Sequence, residues 1–416
     1  MNNYTMNSYE VKRDLLNFSK KISNHLSKPD TKFVMDILFG ISKSGSVLIT
    51  EIARALKEDI HLTYTTERLC DHLSSFDNSS ILLKNYYDEC KTSISEEPIV
   101  LFDDSDLSKI YGKKFEDLDE VIDASSKDRK IVPGYHICEA TLLTKNEKQP
   151  ISLYSKIYSC KSSNFKSKNS YTMESIDTVK NVINKKFTGV FDRGYDDNKI
   201  INYMDDNYFV IRINERRNFL FKRKKKNAFE EALRRKGKIK MTLLFDNNTK
   251  YDTYISHTKV TLPSNKKDYE LVIVYGLAEE KPLMLLTNRD IHTKEDIIKV
   301  VRLYFSRWRI EEYFRGKKQE YDFENMRVRT LKAMNNLNTL LTIYLGYIGI
   351  LSDKIDKKLL VIKIIEASKS LRNKIIVWLS QMARGIKEIL KYCHTGIKEW
   401  QKVKHQEKIR QLQLVL

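Results

Sequence analysis

Two short apolar runs limit the fold of this chain more than any other feature. Residues 98–102 and 187–191 are each five residues long, and each is followed at once by an aspartate, Asp103 and Asp192. Five residues are too few for a helix, and a mainly apolar run of that length reads as a strand buried in a sheet. Around them the texture changes in blocks. Residues 11–26, 31–41 and 48–56 repeat apolar side chains three and four apart, and a further helix is expected over 66–73. Residues 134–144 and 150–159 are β-like and joined by a polar hairpin connection over 145–148. Residues 173–183 are helical. Five strand-like runs follow, at 208–213, 239–245, 251–262, 269–277 and 282–287, and from 293 the pattern is helical to the end. This order predicts an α/β fold with a mixed sheet flanked by helices, a β-rich stretch inserted into it, and helical N- and C-terminal regions.

Charge narrows the partner. Lys and Arg number 74 against 55 Asp and Glu, a net charge of +19. That excess favours a polyanion, nucleic acid first, and argues against ordinary metabolism of small molecules. The five cysteines are scattered without a C-x-x-C pair, and the histidines do not cluster at ligand spacing. The sequence therefore predicts reduced thiols in an intracellular protein and no structural zinc site. Residues 1–14 lack the apolar core of a signal peptide, and residues 340–351 are too short an apolar stretch to span a bilayer. The expectation is a basic cytosolic protein without membrane contact.

Three acids stand out. Asp103 and Asp104 close the first apolar run, with Ser105 and Asp106 behind them; such acids can serve a metal, or simply cap a turn. Asp192 closes the second run, ahead of Arg193 and Gly194, whereas Asp196 or Asp197 is placed to cap the next helix. The third is Glu311. On a continuous helix Tyr304, Arg307, Glu311, Arg315 and Lys318 fall on one stripe, within about 40° of Glu311 on either side. Apolar residues, Trp308 among them, flank that stripe, which predicts a part-buried charged groove. Three carboxylates from two strands and a helix can hold two Mg²⁺ about 4 Å apart for in-line phosphoryl displacement. Arg307 and Lys318 can reach phosphates, and the rings of Tyr304 and Trp308 can stack on an unpaired base.

On these residues the chain resembles bacterial insertion-sequence DDE transposases of the cut-and-paste group, which have an RNase H-like core. Their signature is Tyr, two residues, Arg, three residues, Glu, six residues, Lys, and Tyr304, Arg307, Glu311 and Lys318 match every spacing. The resemblance implies Asp103, Asp192 and Glu311 as the catalytic, metal-binding acids, with Asp104 the rival for the first position. It implies contacts to the transposon-end strand from Tyr304, Arg307 and Lys318. Two Mg²⁺ ions, replaceable by Mn²⁺, are implied as cofactors, and DNA ends, target DNA and a second copy of the chain as partners. The implied activity is strand cleavage followed by strand transfer. A metal-dependent nuclease without strand transfer, or a DNA-binding derivative without catalysis, are the alternatives. A bacterial cytoplasmic protein, nucleoid-associated when bound, is the implied setting.

The domain reading divides the chain into an N-terminal helical DNA-binding region (1–92), the first part of the core (93–206), a β-rich insertion (207–290), the core helix with Glu311 (291–335) and a helical C-terminal region (336–416). Within the first, residues 42–46 separate two helices, so a helix-turn-helix and a bracing bundle both fit. Lys222, Arg223, Lys224, Lys225 and Lys226 in the insertion read either as a phosphate-binding loop or as a solvated turn. Together with Trp308 and Arg315, the first four complete the DNA-contact set. The helices of residues 354–416 are expected to supply core or dimer contacts, and His136 to serve the sheet or to support the residues that hold the metal.

Overall fold

The computed structural model describes residues 3–123, 128, 130–145, 149–244, 250–277, 281–354, 357–369, 378–394 and 396–397. Five helices come first: α1 (Asn3–Ile22), α2 (Lys28–Ser44), α3 (Ile49–Leu56), α4 (Leu62–Ser75) and α5 (Ser79–Cys90). The first half of the sheet follows, with β1 (Ile99–Ser108), β2 (Asp119–Ile122), β3 (Ile131–Leu143), β4 (Pro150–Tyr158), α6 (Lys168–Ile183), β5 (Thr188–Phe191), α7 (Asn198–Tyr203) and β6 (Tyr208–Arg212). Next are β7 (Asn218–Phe221), β8 (Lys224–Asn227), α8 (Ala228–Arg234), β9 (Ile239–Leu244), β10 (Lys250–Thr261), β11 (Asp268–Tyr275) and β12 (Leu283–Thr287). The chain then turns helical, through α9 (Lys294–Phe305), α10 (Trp308–Glu320), α11 (Leu331–Asp353), α12 (Lys358–Ala367) and α13 (Trp378–Lys391).

The central strands run β4-β3-β1-β5-β6. β3 is antiparallel to both β4 and β1, while β1, β5 and β6 are mutually parallel. This is the mixed sheet with flanking helices that the sequence predicts, in the strand order of an RNase H-like core. The β-rich stretch does not form a separate sheet. β12 pairs with β6, and β11 and β10 extend the same sheet outward, with β9 and the β7–β8 hairpin on β10. β6 itself, inside 207–290, is hydrogen-bonded in parallel to β5.

α11 explains the apolar stretch at 340–351. Every residue from Leu340 to Leu351 is buried, because α11 lies on β4 and is wrapped by the N-terminal helices and α13. A helix apolar all round belongs in a core. The Tyr86 hydroxyl donates to the Ser152 carbonyl at 2.9 Å and passes so close to Gly346 that a Cβ there would overlap it. Among the described residues no single helix is long and apolar enough to cross a membrane. α2 and α3 meet at 96° across Gly45, which takes the left-handed conformation (φ 65°) that glycine tolerates. α3 buries Ile52, Ala53 and Leu56 against its neighbours. Residues 146–148 of the expected hairpin, Phe245 and, of the expected C-terminal helices, 355–356, 370–377, 395 and 398–416 lie outside the described residues.

Candidate active site

Strand register brings the two aspartates together. The parallel pairing of β1 and β5 ends at Phe102 opposite Phe191, whose rings stack at 4.5 Å and 8°. Asp103 and Asp192 are the next residues on each chain, so both emerge at the carboxyl end of the parallel strands. The expectation that the first strand stops before its acids needs correction. β1 continues to Ser108 because β3 pairs with it along this whole length, Asp103 opposite Glu139 and Asp104 opposite Cys138. Side chains alternate along a strand, so Asp103 and Asp104 face opposite sides. Asp103 points to the helix carrying Glu311, and Asp104 to Cys138 and the Tyr195 ring. Asp197 caps α7 by accepting from the Lys199 amide at 2.7 Å, as its position suggests.

The third acid arrives on a broken helix. A single continuous helix through residues 304–318 is expected; instead α9 ends at Phe305 and α10 begins at Trp308. Arg307, Arg309 and Ile310 donate their amides to carbonyls three residues back, a tighter winding than the α-helix on either side. The stripe therefore bends at Arg307, although Arg307 and Glu311 remain a turn apart. From the bend the Arg307 guanidinium donates to Asp103 Oδ2 at 3.0 Å and to Glu311 Oε1, bridging strand and helix. The Tyr304 hydroxyl, just before the bend, donates to Asp192 Oδ1 at 3.1 Å. Tyr304 is buried, and the Arg307 and Glu311 side chains are 16% and 34% exposed. The groove is thus open at Glu311 and closed beneath it.

The electrostatics are unbalanced toward negative charge. Burial raises the Asp103 carboxyl to about 7; Arg307 opposes this, while Asp192, Asp104 and Glu311 push it further up. Burial lowers the Arg307 affinity for its proton, but Asp103, Asp192 and Glu311 together outweigh that and hold it above the usual arginine range. Burial and then Asp192 lift the Tyr304 phenol to about 12, with Arg212 and Arg307 opposing. Arg212, at the end of β6, is the residue that sequence reasoning missed. Its only sequence signal is its place at the end of a strand parallel to the two that carry the aspartates.

Three carboxylates against one guanidinium leave excess negative charge, and every donor is a hard oxygen. That set fits a hard divalent cation of the Mg²⁺ type. The acids are not a closed cluster here: among the described residues, the one group of three ligating side chains with all donor atoms within 4.8 Å is Asp119, His136 and Cys160. Arg307 sits between Asp103 and Glu311 instead, bridging the two.

The remaining candidates divide. Lys318 projects to the same strand as Asp103, pairing with Asp106 at 3.3 Å and Glu324 at 3.1 Å. Trp308 does not flank a buried groove; it is 43% exposed, and the Arg315 guanidinium lies over its ring at 5.7 Å. The basic run forms the β7–β8 hairpin. Lys222 and Arg223 are its turn, both left-handed (φ 47° and 68°), where Asn-Gly is the favoured pair. Lys224 and Lys225 are exposed on its second strand. The hairpin closes one end of the sheet order, five places beyond β5 and so well away from the acidic groove.

Comparisons with known proteins match part of the chain to one family. Residues 166–345 match the family described as Transposase DDE domain, less than half of the chain but including Asp192 and the Tyr304–Lys318 window. No curated protein matches the chain. Among solved structures, the piggyBac transposase synaptic complex with hairpin DNA, determined by cryo-EM, is similar at 9% identity and a TM-score of 0.45. The similarity covers 95% of this chain and 82% of that one, and is too distant to carry a functional reading.

Proposed function

We propose that this chain is a DNA transposase of the DDE type, acting by cut-and-paste on the ends of a bacterial insertion sequence. One observation carries the reading: Arg307 and Tyr304, on either side of a helix break, tie Glu311, Asp103 and Asp192 into one groove at the carboxyl end of parallel strands. In this reading Asp103, Asp192 and Glu311 hold Mg²⁺, with Mn²⁺ as substitute. Bound there, the cations supply an activated water or 3′-hydroxyl and stabilise the leaving oxygen.

The chain's own residues prepare that chemistry. Arg307 fixes the facing oxygens of two acids that would otherwise repel each other, and is placed to turn toward a phosphate once their charge is met otherwise. Tyr304 orients Asp192 and, with its phenol held protonated, can only donate to it. Lys318 and Arg315, on the next two turns of α10, bind the backbone of the strand being cut, and Trp308 offers an exposed ring to an unpaired base. The β7–β8 hairpin contributes a second, remote phosphate contact through Lys222, Arg223, Lys224 and Lys225. The N-terminal helices bind the inverted ends and two copies hold them in the synaptic complex, in the cytoplasm and on the nucleoid.

The test is strand joining. The full chain is incubated with Mg²⁺, target plasmid and duplexes carrying the DNA that flanks its gene. Nicked ends with free 3′-hydroxyls, then covalently joined products, are expected. Cutting without joining would make it a nuclease of the same fold. Stable binding with no Mg²⁺-dependent cutting would make it a catalytically inactive derivative.

A further inference from the structure

A second constellation lies on the far edge of β3. β2 and β4 both pair with that edge, β2 over residues 131–134 of β3 and β4 over residues 136–143. They abut end to end. Asp119 opens β2 opposite Gly134, Tyr158 closes β4 opposite His136, and Cys160 follows two residues later. The seam thus gathers a carboxylate, an imidazole and a thiol from three elements, with one ligating atom of each within 4.8 Å of the others.

Several details favour a ligand over a merely packed seam. His136 Nε2 and Asp119 Oδ2 stand 3.9 Å apart, too far for a hydrogen bond. Two ligands on one tetrahedral zinc, with bonds of ~2.0–2.3 Å, are roughly 3.4–3.7 Å apart, so a small shift closes the gap around a cation. Among the described residues His136 has no hydrogen-bond partner, yet its side chain is only 17% exposed and its ring is held by stacking on Tyr158 at 5.3 Å. Asp119 is pre-set. Its Oδ1 accepts the Glu120 amide at 2.8 Å and its Oδ2 the Cys160 amide at 2.6 Å, leaving a lone pair on each oxygen. Cys160 is a free, part-exposed thiol.

The geometry points to a site for a borderline-soft divalent transition metal, Zn²⁺ by preference, held by Asp119, His136 and Cys160. The donor types decide the class. A thiolate and an imidazole select zinc-like ions over Mg²⁺, and with the carboxylate they make a three-ligand set of the kind found in open zinc sites. Thiolate and carboxylate charges cancel a dication, so the loaded seam is neutral, as its part-buried position requires. Binding displaces the thiol proton to solvent. Without a cation, burial and then Asp119 hold the Cys160 thiol above its usual range, with Lys168, at the start of α6, opposing; Lys168 also disfavours positive charge on His136. Three protein ligands leave one position for water. The site is structural in effect: it joins β2 to β4 one strand away from Asp106, the partner of Lys318. Sequence spacing gave no sign of it, because the three ligands are 17 and 24 positions apart and meet only through strand pairing.

The full chain, freed of metal, is titrated with Co²⁺ as the probe. We expect one equivalent to give a thiolate-to-cobalt charge-transfer band in the near ultraviolet with tetrahedral visible bands, all displaced by Zn²⁺. Cys160→Ser should abolish the charge-transfer band. His136→Gln and Asp119→Asn should weaken binding at least about tenfold, the least expected for loss of support around a metal. Asp119→Asn keeps an oxygen for both amides and so preserves the seam. Glu311→Gln should leave the charge-transfer titration unchanged, because the acidic groove has no thiolate, and this separates the two sites whatever the groove does. No charge-transfer band at millimolar Co²⁺, or a band that survives Cys160→Ser, would overturn the assignment.

Discussion

α10 and the turn before it meet the same pair of strands twice, with opposite results. Arg307 reaches Asp103 on β1, and Lys317 reaches Glu139, the residue directly opposite Asp103 on β3. The Lys317–Glu139 pair is fully buried at 3.1 Å, and both carboxylate oxygens and all three ammonium protons are engaged: Ser152 and Ser155 donate to Glu139, and Ser155 and Thr342 accept from Lys317. Burial still lowers the Lys317 affinity for its proton, with Glu139 opposing. The Arg307 group is the reverse: it is part-exposed, shares one cation among three acids and is left with surplus negative charge. The difference separates holding from acting. A satisfied, buried pair fixes the helix to the sheet; an unsatisfied, accessible one can take up metal and phosphate.

Breaking each side of that contrast should give different losses. Glu311→Gln or Asp192→Asn should reduce strand cleavage by a factor on the order of 10³ or more while leaving DNA affinity intact, since each removes a metal ligand and no positive charge. Parallel cleavage and gel-shift assays check this, and normal cutting by either variant would break the comparison. Lys317→Met should instead cost stability, about 3–5 kcal/mol, by stranding a buried Glu139 charge; the double variant with Glu139→Leu should recover most of it. Urea unfolding midpoints decide.

A smaller effect appears in pH. In chelator, the folded Asp103 carboxyl titrates at about 7, whereas unfolded Asp titrates near ~3.9. Its contribution to stability is full below pH ~4 and is lost as pH rises to 7, where the folded state must finally ionise it. Asp103→Asn should flatten the fall in unfolding midpoint between pH 4.5 and 7.5; an unchanged slope would move that titration elsewhere. Smallest of all, Lys318→Ala should lower the salt dependence of DNA binding by about one phosphate contact. Its ties to Asp106 and Glu324 make it part of the site's frame, so an unaltered salt slope would assign it to that frame alone.

How much of this was legible in the sequence depended on whether the signal was local. The helical and strand-like runs correspond to α1–α4, α6 and β1, β3–β6 and β9–β12, because periodicity is a local property. Arg307 and Glu311 are four residues apart, so their contact needed no knowledge of the fold. The surroundings of Asp103 and Asp104 did need it: alternation says only that they face opposite sides, and the packing of α10 brings Arg307 to Asp103. The bend at Ser306–Arg307 has no proline or glycine to announce it, and arises where Arg307 is drawn toward Asp103. β2 is four residues long, and the cluster at Asp119, His136 and Cys160 exists only because β2 and β4 share an edge of β3.

The central claim is that Asp103, Asp192 and Glu311 hold a divalent cation in common, and Fe²⁺ in place of Mg²⁺ tests it directly. With ascorbate and peroxide, bound iron generates hydroxyl radicals that cut the polypeptide beside its ligands. Fragments ending near residues 103, 192 and 311, all suppressed by excess Mg²⁺ and lost together in Glu311→Gln, are the expected result. Cuts at one of these places without the others, or none that Mg²⁺ suppresses, would contradict it.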